Sequence, residues 1–161
     1  MANMERAETL NHSTQTFKEL DEESRLDLLT LGNMFLHASY WYLALSVNAK
    51  AIDLHGFAWA LTENEKKCKD AALLIMTFVK EHGGKLEFAD VARPKYEDSE
   101  ISPEFICRRW DDIEDWLTNK LTQEINAYKE KSQSIKALLN DLISLVKTKN
   151  TITRETSGYE I

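Results

Sequence analysis

The chain has 161 residues and a net charge of −7, from 27 acidic and 20 basic side chains. That balance argues against a nucleic-acid partner, because phosphate binding is driven by clustered Lys and Arg. Two prolines and five glycines are few for a turn-rich sheet protein, whereas plentiful Leu, Ala, Lys and Glu favour helices.

The length suffices for one domain with a real core. Charge is uneven: Glu87 to Asp115 carries ten acidic residues against four basic, and Lys129 to Arg154 six basic against two acidic. Both runs read as solvated helix faces. Cys68 and Cys107 form no C-x-x-C pair and no dense pattern, so neither a zinc knuckle nor a disulfide scaffold is indicated. No apolar signal core and no run long enough to span a bilayer is visible. The expectation is a cytoplasmic protein with reduced thiols and no membrane partner.

In chain order, residues 1–20 are polar and read as a tail. Asp21-Glu22-Glu23-Ser24 is a helix start, with acids facing the positive end of the dipole. Leu28, Leu31, Phe35, Ala38, Tyr42 and Leu45 then step by three and four, giving one apolar stripe widened by Met34 and Trp41. Asn48 to Gly56 reads as a connection. A second helix is predicted over Phe57 to His82, with Phe57, Leu61, Cys68, Ala71, Ile75 and Phe78 on one face. Gly83 supplies the left-handed residue that closes it. Leu86, Phe88 and Val91 suggest an extended segment lying on an apolar surface. The connection to Ser102 is long enough to cross a whole bundle.

Ser102-Pro103-Glu104 starts a third helix through a serine cap, proline at the first position and an acid in the first turn. Its stripe is Ile106, Trp110, Ile113, Leu117, Leu121, Ile125 and Tyr128. Ile135, Leu138, Leu142, Leu145 and Val146 continue the pattern. No proline or glycine separates the two runs, so one long helix to about Lys149 and two helices both fit. The predicted organisation is a tail over 1–20, an all-α bundle over 21–149 and a tail over 150–161.

Three stretches resemble the ferritin family: Leu36-His37-Ala38-Ser39-Tyr40-Trp41-Tyr42-Leu43; the Gly56-Phe57-Ala58 helix ending in His82-Gly83-Gly84-Lys85-Leu86; and Asp90-Val91 followed by Pro94. Leu121-Thr122-Gln123-Glu124-Ile125-Asn126 is similar to the family's third helix. The resemblance implies a ferritin-like four-helix bundle with a long crossover between the second and third helices, here truncated at the C-terminus with no room for a fifth helix. It implies subunits of a hollow cage that stores ferric oxide. Catalytic members oxidise ferrous iron at an internal di-iron site built from carboxylates and a Glu-x-x-His pair.

Carried over residue by residue, those ligand positions are Phe35, Cys68, Ala71 and Thr122, or Lys120 or Thr118 in shifted third-helix registers. Tyr42 stands at the family's site tyrosine. No Glu-x-x-His occurs in the chain. The resemblance therefore implies a subunit without ferroxidase activity, and hydrophobic packing in place of the metal centre. Non-catalytic members nucleate mineral on an acidic cluster. Here Glu63, Glu65 and Asp70 remain as iron candidates, interleaved with Lys66, Lys67 and Lys69, which repel iron cations. Glu63, Asp70, Glu114 and Glu124 fall outside the core stripes, and Lys120 is placed to pair with Glu65 or Asp70.

Cys68 reads as an inert buried thiol and His37 as a surface or hydrogen-bonded ring. An exposed Trp59 or Trp41 would mark a subunit contact. The expected partners are further copies of the chain or catalytic ferritin subunits, with iron as the only implied cofactor. The competing reading is an interaction protein on the same bundle, monomeric or dimeric, with no iron role.

Overall fold

The computed structural model describes residues 20–158, with side chains described to Val146. The tail assigned to residues 1–20 lies outside that range except for Leu20. Helix α1 spans Glu22–Ala51, and the Asp21 carboxylate caps it by accepting the Ser24 amide at 2.7 Å. Residues 52–54 turn the chain, with Asp53 at φ 62°. Helix α2 spans His55–Glu81, α3 Pro103–Tyr128 and α4 Gln133–Gly158. A single 3-10 turn, Asp98–Glu100, precedes α3.

The fold is an all-α four-helix bundle. Helix α1 packs most extensively on α2, and α3 packs on α4; α1 with α3 and α2 with α4 close the square. The tight turn at 52–54 makes α1 and α2 antiparallel. The crossover from Gly83 to Ser102 then climbs the length of α1, so α3 starts beside the end of α1 and runs back along it. Trp116 meets Trp41 at 5.1 Å between ring centroids, and further down the Tyr128 hydroxyl donates to Asp27. Burial and the neighbouring Asp27 carboxylate push the Tyr128 phenol well above its ordinary value, which keeps that donor protonated.

Each helix buries the stripe its spacing predicts. Leu28, Leu31, Phe35, Ala38, Tyr42 and Leu45 meet Phe57, Leu61, Cys68, Ala71 and Ile75 in one core with Ile106, Trp110, Leu117, Leu121 and Leu142. Trp110 is wholly buried and packs edge-on against Phe57 at 5.9 Å.

The end of α2 explains the glycine pair. Gly83 sits at φ 77°, its amide donates to Lys80 O at 3.1 Å, and the Gly84 amide donates to Val79 O at 2.8 Å. This pattern satisfies carbonyls that the helix end would orphan. A Cβ on Gly84 would stand 2.7 Å from Val79 Cγ1. Replacing Gly83 by Ala is expected to destabilise the bundle by about 1–2 kcal/mol, the cost of a left-handed Cβ-bearing residue. Urea unfolding of G83A beside K85A, which changes an exposed side chain, measures it.

The crossover differs from its expected attachment. Leu86 packs against the core, but Phe88 and Val91 are exposed. Polar side chains of α1 hold the segment instead. Arg25 Nη1 donates to Lys85 O at 2.8 Å, and Asn33 Nδ2 to Glu87 O at 3.2 Å. Asn33 Oδ1 accepts the Ala89 amide at 3.0 Å, and Trp41 Nε1 donates to Ala92 O at 3.0 Å. His37 Nε2 lies 2.9 Å from Asp90 O.

Two helices, not one, occupy residues 103–158. The chain breaks at 129–132 without glycine or proline, where Ser132 Oγ accepts the Ile135 amide at 3.3 Å and starts α4. Helix α4 runs on through residue 149 to Gly158.

Candidate functional site

The interior of the bundle is where the residues singled out from the sequence converge. Phe35 and Tyr42 project inward from α1, Cys68 and Ala71 from α2, and all four are buried. Thr122 does not join them. It is exposed, one step past the inward stripe of Leu117, Leu121, Glu124 and Tyr128, so the register that places it at the centre is corrected. Lys120 and Thr118, from the shifted registers, are half-buried.

Burial pushes the Cys68 thiol far above its ordinary value, which keeps it neutral and a poor nucleophile or metal ligand. His37 has both ring nitrogens engaged with backbone carbonyls, at 2.9 Å from Asn33 O and 2.9 Å from Asp90 O. His82 stacks on Phe78 at 4.0 Å, with Nδ1 2.8 Å from Phe78 O. His55 lies exposed beside Asp53.

The acidic residues are dispersed rather than gathered. Glu65 is buried and paired with Lys69 one turn on, Glu63 lies 3.5 Å from Lys66, and Asp70 is exposed. Glu124 is buried too, which corrects its placement outside the core. Lys120 Nζ sits 2.9 Å from Glu124 Oε1, so Lys120 pairs within its own helix rather than with Glu65 or Asp70. Both pairs stand at helical spacing of four, which lets each lysine snorkel over the carboxylate and neutralise it at the bundle edge. Among the described residues no three His, Cys, Asp or Glu side chains come together as a metal site would require.

The sequence carried a signal for both buried acids. Leu61, Glu65, Cys68 and Ala72 step by four, three and four, as do Leu117, Leu121, Glu124 and Tyr128. A lysine four positions away marks each acid as compensated. Asn64 is buried on α2, and its Nδ2 has no hydrogen-bond partner among the described residues.

A second feature lies on the outside. Leu36 of α1, with Leu73 and Met76 of α2 and Phe88 of the crossover, lines an open groove of about 650 Å³ flanked by Lys69 and Lys80. Tyr40, Leu43 and Val47 follow Leu36 by four, three and four, so they share its side of α1. Trp59 precedes Leu73 by two heptads on α2. Tyr40, Leu43, Val47, Trp59, Leu73 and Phe88 are all exposed, Trp59 at 63% and Leu73 at 66%. Together they form an apolar face along α1 and α2.

Among the described residues no helix is long and apolar enough to cross a membrane. Compared with models of known families and with curated proteins, the chain matches none.

Proposed function

We propose that this chain is a non-catalytic, ferritin-like subunit of an iron-storage type assembly, structural or modulatory in role. The single observation that carries this reading is the bundle centre. Phe35, Cys68 and Ala71 are buried in apolar packing at the positions where the resemblance would place a glutamate, a second glutamate and a histidine. One long crossover joining the second and third helices supports the same fold family. The exposed face of Leu43, Val47, Trp59 and Leu73 supports assembly, since contiguous apolar surface of this kind is seldom left open to water. Its partner is a further copy of the chain or a catalytic ferritin subunit.

A second reading is favoured by the confinement of that apolar face to α1 and α2. One face suffices for a dimer, which would be an interaction protein with no iron role. Two measurements on the purified chain test these readings. Ferrous iron added in air is expected to oxidise no faster than in buffer alone; acceleration would overturn the loss of the site. Native mass is expected to correspond to more than two subunits. A mass of one or two subunits, alone and with a catalytic ferritin present, would overturn the storage assembly and leave the dimer reading.

A further inference from the structure

A cavity of about 420 Å³ lies between the crossover and the α1–α3 seam, away from both the bundle centre and the outer groove. We infer that it is a binding site for a small aromatic anion, a planar ring system carrying one carboxylate or comparable group. This inference is independent of the iron-storage reading.

The walls are aromatic and apolar: Trp41 and Leu45 from α1, Ile113 and Trp116 from α3, and Tyr96 from the crossover. Their positions are fixed before any ligand arrives. Trp41 is anchored by its indole bond to Ala92 O at 3.0 Å, and its ring meets Trp116 at 5.1 Å. Tyr96 packs edge-on against Phe105 at 5.0 Å, and its hydroxyl accepts from Asn48 Nδ2 at 3.0 Å. A cavity of a few hundred Å³ with apolar walls and a few convergent polar groups has the size and character of a small-molecule site. Preformed walls spare the ligand the cost of ordering them.

Charge decides the ligand class. Four charged side chains line the cavity, and three of them are cations: Arg93, Lys95 and Arg109 against Asp112. The protein as a whole carries −7, so a net positive lining is a local inversion. Arg93 and Lys95 make no ion pair among the described residues. Arg109 stands 3.9 Å from Asp112, the outer limit of an ion pair, with its guanidinium over the Phe105 ring at 5.3 Å. Guanidinium N–H groups are therefore available to an incoming carboxylate, which they match in shape. An aromatic cation would find the tryptophans attractive but the three positive groups repulsive. A neutral ring would gain the walls and forgo the charges.

Isothermal titration of the full chain with 2-naphthoate, and with neutral 2-naphthalenemethanol as its counterpart, tests the assignment. Naphthoate is expected to bind saturably at one per chain, at least ~10-fold tighter than the alcohol. R93Q and R109Q are each expected to weaken naphthoate without changing the alcohol, and W116A to weaken both. K80Q, in the outer groove, serves as the unaffected control. Arg93 is an exposed crossover residue, so R93Q tests the charge even if R109Q perturbs its helix. Equal affinity for the two probes, insensitivity to R93Q and W116A, or no saturable heat up to about 1 mM would each overturn the proposal.

Discussion

Replacing Phe35 by Ala is expected to lower the unfolding free energy by about 3–5 kcal/mol, the usual cost of emptying a packed aromatic site. Phe35 is completely buried near the middle of α1 and shares one core with the small residues Cys68 and Ala71. Phe35→Glu is expected to cost more. The only buried acids described are Glu65 and Glu124, each with its own lysine, so a carboxylate at position 35 would have no spare cation to pair with. The F35E chain should lose its cooperative transition at neutral pH. Phe88→Ala, which changes an exposed aromatic, should stay within about 0.5 kcal/mol of the parent. Chemical denaturation followed by tryptophan fluorescence reads all three. A cost below about 1 kcal/mol for F35A, or a fully stable F35E, would mean that the centre is wet and can take polar groups. That outcome would remove the ground for treating it as packing in place of metal.

The second large effect is expected on the outer face. Trp59→Glu and Leu73→Glu should each weaken self-association at least ~10-fold, because large apolar anchors carry most of an interface's energy. Both side chains already stand in water, so folding should be nearly indifferent and the melting temperature of dilute protein little changed. Sedimentation over a concentration series separates the two quantities. Unchanged mass in both variants would show that the apolar face is not the contact. A fall in mass together with a collapse of stability would show that the residues support the fold instead.

The helices were legible because hydrophobic spacing is set by helix geometry, and almost every residue of the four stripes is buried. The caps at Asp21 and Ser102 and the stop at Gly83 were legible for a similar reason, since each needs a specific side chain or backbone freedom. The break at 129–132 was one of two open alternatives, because a serine cap at Ser132 can start a helix without glycine or proline nearby. Thr122 was misplaced because motif matching gives a register only to within a residue, and one residue turns a helical side chain by about 100°. The burial of Glu65 and Glu124 was not legible because apolar types define the stripes, although their lysine partners lie one turn away. The cavity beside Trp116 was invisible in the sequence, since it joins α1 and α3 to a crossover more than 40 residues from the start of α1. The composition of the crossover suggested an apolar seat, whereas its hold on α1 comes from Arg25, Asn33, His37 and Trp41 gripping backbone carbonyls.

Those grips keep the same order on both partners. Asn33, His37 and Trp41 recur every four residues, a rise of about 6 Å per step along the helix. Their carbonyl partners on Glu87, Asp90 and Ala92 follow one another by three and two residues along the crossover. The helix thus works as a ruler against which the segment is measured out. Most connecting loops tolerate added or missing residues, but this one has its length dictated by its neighbour. Removing one residue would carry every later carbonyl about 3.3 Å out of step with the side chain meant to hold it.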